Sequence, residues 1–337
     1  MFIAKNFSEF KYLFAESLRA MLSPKEPGAL ILVLANSLQD EELRNQLNVD
    51  VQVTFDEIKK NIDKNIITPT DDDMAVLKAL DEFGIGSLCC WETKSVNGWE
   101  MIFNPVRSLR PARASAEKIE VINRAFNDQL FNFNKPFLSP EILWEDVWED
   151  VQMRVLYNKF PFAPYHLIIV PEPEQQYAQY LSFEHHEMIW ELVQEQHDVF
   201  HGFGAGYNSM GACASVNHLH FQGFIRKQRL PVEEHHWHHN GGHEAYPMRC
   251  LRFSSADDSW KLIQQYHKQN QPYNILYRND RCYVFPRIPQ GTPTVLPMVQ
   301  GAGWIEECGV FNVSDRSELQ STTAYDLANC LKSLSVE

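Results

Sequence analysis

The sequence predicts an α+β fold in which antiparallel strands are mixed with a few helices, and three observations carry this. A helical period runs through the first 85 residues, short apolar runs bounded by turn residues follow it, and hairpin dipeptides join several of those runs. The chain has 337 residues, 44% of them apolar and 22% charged, which is the composition of an ordinary globular protein with a sizeable core. Two regions are read from it: an N-terminal helical region over 1–85 and a strand-rich region over 86–337.

The elements follow in order. Phe10, Leu13, Phe14 and Leu18 fall at helical spacing, and Asp71-Asp72-Asp73 opens a helical run to Phe83. Asn97-Gly98, between Trp91 and the run Trp99–Phe103, reads as a hairpin turn. Val151–Tyr157 and His166–Val170 read as strands joined by a Pro-containing loop. Ser182 caps a helical segment to Val199, whose His185, His186 and His197 are expected on its exposed face. Gly202, Gly204 and Gly206 read as a connection, and Leu219–Ile225 as a further strand. A helix is expected over Ser255–Gln269, then a hairpin of Asn274–Tyr277 and Cys282–Phe285.

Thirty Lys and Arg against 44 Asp and Glu give a formal net charge of −14, which repels phosphate backbones and anionic lipid. A nucleic-acid polymer and a membrane are therefore not expected partners, whereas a small phosphorylated ligand needs only a few positive groups. The run Ala29–Ala35 is too short to span a bilayer, and the N-terminus has no signal-peptide core. Seven scattered cysteines without a C-x-x-C pair read as reduced thiols, and a cytoplasmic location is expected.

Histidine placement carries the chemistry. Twelve of the 13 histidines lie between His166 and His243. His218, His220 and Gln222 are spaced at i, i+2 and i+4, so a strand would put all three on one face and Leu219 and Phe221 on the other. A Gly- and Ser-containing turn, Asn208–Ser215, precedes them and can offer backbone N–H groups to an anion. A neutral imidazole is nucleophilic near pH 7 and its phosphoramidate can be attacked again, which suits two-step phosphoryl transfer. Gln222 can donate to a phosphoryl oxygen without titrating. Cys213, within the turn, reads as a small packed residue. Arg107, Arg110 and Lys135 are the cations expected on phosphate. A second cluster, His235, His236, His238, His239 and His243, lies in a loop that could bind zinc or be merely solvated.

H-x-H-x-Q in GYNSMGACASVNHLHFQGF resembles the active-site pattern of the transferase branch of the histidine-triad superfamily. That branch includes galactose-1-phosphate uridylyltransferases, diadenosine tetraphosphate phosphorylases and the GDP-hexose (GDP-L-galactose and GDP-D-glucose) phosphorylases. The stretch is most similar to the last group, and weaker likeness continues in Asn104–Pro111, Phe131–Lys135, Asn158–Pro171, Leu230–Glu233, Tyr246–Arg249, Pro272–Ile275 and Trp304–Glu306. The resemblance implies histidine-triad-like antiparallel sheets in a duplicated or pseudo-symmetric pair, with the N-terminal helices outside. It implies a phosphorylase acting on a nucleoside diphosphate sugar through a nucleotidyl-histidine, with a dinucleotide phosphorylase, a uridylyltransferase or a non-catalytic nucleotide- or metal-binding protein as alternatives. By the same resemblance His220 is the nucleophile and His218 orients the site or touches phosphate. Gln222 is the donor to the transferred group. Asn208, Ser209, Gly211 and Ser215 line the phosphate turn, and Asn158 meets the nucleoside. A metal is not required, although zinc on the histidine loop is the candidate, and a homodimer is compatible with the resemblance.

Overall fold

A computed structural model of the chain describes residues 1–109 and 119–336. Four helices come first: α1 (Phe7–Ala20), α2 (Pro27–Ser37), α3 (Glu41–Asp63) and α4 (Asp71–Phe83). Asn6, Asp40 and Thr70 cap α1, α3 and α4, each accepting a backbone N–H of the first turn. α2 is apolar on every side, and Leu30 to Val33 are fully enclosed, so it is the buried member of the group. The remaining strands are β1 (Glu92–Val96), β2 (Trp99–Phe103), β3 (Ile142–Trp148), β4 (Val151–Tyr157), β5 (Leu167–Pro171), β6 (Phe203–Asn208), β7 (Phe221–Ile225), β8 (Leu251–Phe253), β9 (Tyr273–Arg278), β10 (Arg281–Pro286) and β11 (Val310–Val313). The helices among them are α5 (Pro105–Ser108), α6 (Phe183–Val199), α7 (Ala256–Gln269), α8 (Trp304–Glu307), α9 (Arg316–Ser321) and α10 (Ala324–Leu334).

The fold is a mixed α+β one built on antiparallel sheet. Eight strands form one continuous sheet in the order β3-β4-β5-β7-β6-β9-β10-β8, every pair antiparallel. Continuity across its middle comes from β6, which hydrogen-bonds to β7 on one side and β9 on the other. A smaller sheet, β1-β2-β11, contains one parallel pair, β2 with β11.

Alternation along the strands separates two faces. Met153, Val155, Leu167, Ile169, Ala205, Phe221 and Tyr277 face a core that also holds Phe10, Phe14, Leu18 and α2, so the N-terminal helices share the main core. Phe14 stacks edge-on against Tyr157 and Tyr165, and the Tyr157 hydroxyl donates to the Phe14 carbonyl at 2.8 Å. On the opposite face lie Leu156, Ile168, Phe224 and Trp304.

Two expectations change here. The Gly202–Gly206 stretch is not a connection but part of the central strand β6, with only Gly202 outside it. A Cβ at Gly204 would lie 2.7 Å from the Phe224 ring, and one at Gly206 would lie 2.2 Å from the indole of Trp304. Rings cross the strand where side chains would stand, and glycine makes the room. On α6, His185 and His186 are buried rather than exposed. His186 lies between the Tyr277 hydroxyl at 2.7 Å and the Ser259 hydroxyl at 2.9 Å.

Candidate active site

β6 and β7 are ladder-paired from Phe203↔Ile225 to Gly206↔Gln222, then diverge. The chain between them forms the Ser209–Val216 turn, and the gap is closed by a side chain the sequence did not single out. Gln179 Oε1 accepts the His220 N–H at 2.8 Å, while its Nε2 donates to the carbonyls of Asn208 (2.9 Å) and His220 (3.1 Å). One amide thus stands in for the missing ladder bonds and fixes the backbone of His220 where the strands part.

His220 is 4% exposed and lies on the wall of a cleft of about 1930 Å³. Its Nδ1 donates to the His218 carbonyl at 2.8 Å, which leaves the Nε2 lone pair free. Burial pulls its pKa down to about 4, so the ring is neutral at pH 7. Gln222 is on the same wall, and its Oε1 accepts the Trp304 indole N–H at 2.6 Å. The amide is thereby oriented with its two N–H donors directed away from the indole. Trp304 is held in turn: its backbone N–H donates to Asn208 Oδ1 at 2.9 Å, an oxygen that also accepts from Asn274 at 2.5 Å.

The other candidate residues divide sharply. Arg107, Asn158, Asn208 and Ser215 line the same cleft as His220 and Gln222. Arg107 donates to the Phe160 carbonyl at 2.8 Å and lies over the Phe162 ring, with opposing charge from the half-buried Glu306. Asn158 accepts the Phe160 N–H and approaches His166 Nε2 at 3.4 Å. His166 is fully buried, and burial together with Arg107 and His220 holds its pKa well below the usual value.

Five placements depart from the sequence reading. His218 is off the cleft wall: its Nδ1 accepts the Phe133 N–H at 3.2 Å, and its contribution to His220 is a backbone carbonyl. Ser209 is off the cleft wall, its N–H and hydroxyl paired with the Tyr273 backbone. Gly211 also lies behind the wall, at φ +80° against Pro272. Lys135 turns to the Asp128 carbonyl. The five loop histidines are away from the cleft and do not converge. His239 pairs with the Val232 carbonyl and His236 packs on Trp237, and no group of three metal-binding side chains occurs among the described residues. Those residues do not fit a zinc ion. Arg110 lies outside the described residues. Cys213 lines the cleft, but burial pushes its thiol pKa up, so it is a poor nucleophile at neutral pH.

Residues 91–224, which hold His220, Gln222, Arg107 and Asn158, match the family described as GDPGP1-like, N-terminal domain. Over that part, the chain is similar to GDP-hexose phosphorylases. It is 34% identical over 136 residues to GDP-D-glucose phosphorylase 1 of Homo sapiens, covering 36% of this chain and 33% of that protein. The corresponding protein of Danio rerio is 33% identical over 123 residues, covering 36% and 35%. GDP-L-galactose phosphorylase 2 of Arabidopsis thaliana is 24% identical over 207 residues, covering 52% and 47%. The matched part of the chain thus spans about a third of the length of the animal relatives and about half of the plant one. The fold is also that of yeast Ap4A phosphorylase Apa2 in complex with AMP, at a TM-score of 0.50 and 15% identity, covering 73% of this chain and 87% of that one. That likeness concerns the fold alone. No described helix is long and apolar enough to cross a membrane. Trp304, Glu306 and the N-terminal helices lie outside the matched segment.

Proposed function

We propose that this chain is a nucleotidyl-transferring phosphorylase of nucleoside diphosphate hexoses, with a GDP-hexose as donor. One observation carries the reading: a neutral imidazole on a cleft wall with its Nδ1–H tied to a carbonyl and its Nε2 unencumbered. The similarity to GDP-D-glucose and GDP-L-galactose phosphorylases supports the substrate class.

In the first step the His220 Nε2 lone pair attacks the α-phosphorus. The bond from that phosphorus to the bridging oxygen breaks, and hexose 1-phosphate leaves with the electron pair. The Nδ1–H stays on the ring, and the His218 carbonyl stabilises the positive charge that the imidazole acquires. In the second step an oxygen of inorganic phosphate attacks the same phosphorus, the P–N bond breaks, and the nucleoside diphosphate is released. Gln222 donates to a non-bridging oxygen, and Arg107 and Ser215 supply further positive or donor character along the cleft. Charge neutralisation is assigned to these side chains, and no step is routed through a metal.

Intact-protein mass spectrometry after incubation with GDP-, UDP- and ADP-hexoses and diadenosine tetraphosphate, without phosphate, tests this. The expected product is a guanylyl adduct that inorganic phosphate discharges and that His220→Ala and His220→Asn abolish. An adduct formed only from diadenosine tetraphosphate would replace the donor class. Near-normal labelling of both variants would end the proposal.

A further inference from the structure

A half-buried carboxylate, Glu141, lies in the cleft at the end of an apolar slot that starts beside His220. The Phe133 ring is 5.0 Å from the His220 ring, and Phe133, Leu138, Leu156 and Ile168 form one apolar cluster. A 3-10 segment, Pro136–Glu141, runs along that cluster. At about 2 Å rise per residue it covers on the order of 10 Å, comparable to the length of a nucleotide. Ile142 pairs with Leu156 at the start of β3, which sets Glu141 beside the Tyr157–Lys159 segment. Both Glu141 and Lys159 line the cleft, and the N-terminal helices complete this end of it through Asp73.

The charges are arranged unevenly. Lys159 donates to Asp73 Oδ1 at 2.7 Å, and Gly28 of α2 leaves room for that pair, since a Cβ there would be 3.1 Å from Lys159 Nζ and 3.2 Å from Asp73 Oδ2. Glu141 makes no hydrogen bond or ion pair among the described residues. Burial pushes its pKa up to about 7, with Lys159 pulling it down and Asp73 pushing it further up. A half-buried carboxylate with no donor among the described residues, at the far end of an apolar slot, lacks the partner that such carboxylates otherwise have.

We propose that Glu141 selects guanine, accepting the adjacent N1–H and N2–H donors of the base while Lys159 Nζ donates to O6. This rests on the function proposed above and names the residue that sets its base. The base lies in the slot over Phe133 and Leu138, an apolar and aromatic surface that any base can occupy. Discrimination therefore comes from the polar end. Adenine turns an acceptor nitrogen toward the carboxylate, and uracil a single N–H flanked by two carbonyl oxygens, so each sets an acceptor against it where guanine offers two adjacent donors. Lys159 keeps donors beyond the one it gives Asp73.

The test compares adduct formation by the full chain and its Glu141→Gln variant with GDP-, IDP- and ADP-hexose, IDP lacking the N2 amino group. The full chain labels fastest with the GDP-hexose and is slowed by IDP, because one of two hydrogen bonds is gone. Glu141→Gln lowers the GDP rate roughly ten- to hundredfold, the range expected for a two-bond base contact, and no longer separates GDP from IDP. Gln is isosteric with Glu, and an unchanged denaturant-unfolding midpoint would show that the variant is folded, while relief of the repulsion raises its rate with the ADP-hexose. A variant that keeps the original GDP-to-IDP ratio, or a full chain indifferent to the base, overturns this inference and leaves the phosphorylase standing. Absence of any adduct in the full chain overturns both.

Discussion

Trp304→Phe isolates the orientation of Gln222 from its presence. The substitution keeps a ring against Phe224, whose centroid is 5.0 Å from the indole, and removes the N–H that donates to Gln222 Oε1 at 2.6 Å. With the indole in place, the flipped amide would set donor against donor and lose a hydrogen bond, a bias of roughly 1–3 kcal/mol. Without it the two orientations become nearly equal, which alone halves the competent population. The released side chain also gains rotamer freedom before it meets the phosphoryl oxygen. The combined effect is a fall of roughly 3- to 30-fold in the rate of nucleotidyl transfer. That is well below the roughly 10²- to 10³-fold lost when a donor to a developing oxyanion is deleted. Trp304 is fully buried, so the smaller ring also destabilises the fold by about 1–3 kcal/mol. Single-turnover adduct formation from a GDP-hexose, read by quench and intact mass, measures the first effect, and denaturant unfolding measures the second. A Trp304→Phe rate equal to that of the original chain, beside a Gln222→Ala rate that falls, would refute the claim that the indole sets the amide.

Four further outcomes follow from the same geometry. His218→Ala keeps the carbonyl that binds His220 Nδ1 and removes only the ring that holds the Phe133 segment. Its transfer rate should therefore fall by no more than about tenfold, the value of one hydrogen bond, against complete loss of the adduct in His220→Ala, in the same mass assay. Because burial lowers the His220 pKa to about 4, the reactive neutral form is present above that value and is lost as pH falls through it. At saturating donor, the rate should be flat from neutral pH to pH 6 and decline toward pH 4. By contrast, the KM for a GDP-hexose should drop as pH rises through about 7, where Glu141 ionises beside Lys159 and Asp73, and that slope should vanish in Glu141→Gln. Gly206→Ala drives a methyl to 2.2 Å from the Trp304 ring, so unfolding stability should fall by about 1–3 kcal/mol or more and Gln222 should be displaced with the indole.

What was legible in the chain is what depends on neighbours in sequence. Ser182 caps its helix as its position suggested, whereas Thr70 rather than the Asp71–Asp73 run caps the helix there, and Asn97-Gly98 turns β1 into β2 with both residues at positive φ. His220 and Gln222 do line one wall, as their spacing suggested, although β7 itself begins only at Phe221 and Gln179 fixes the backbone of His220 just before it. The misreadings share one cause, a partner far along the chain. Gly204 and Gly206 look like a flexible connection until Phe224 and Trp304 are seen lying across them. His186 looks like part of a polar face until Tyr277 and Ser259 close on it.

The same division runs through the site itself. The group proposed to bond to phosphorus belongs to a short motif, because the proposed nucleophile and donor stand two residues apart on one wall of the cleft. The groups that make it competent have no such constraint: Gln179 needs only to reach the gap between β6 and β7, and Trp304 only to cross Gly206. A positioning residue can come from any segment the fold brings within hydrogen-bond reach, so its sequence position carries almost no signal. Spacing in this chain therefore identifies the reacting atoms, while the atoms that hold them appear only once the sheet is assembled. For the same reason the matched segment, which ends at residue 224, contains the nucleophile but not the indole that aims its neighbour.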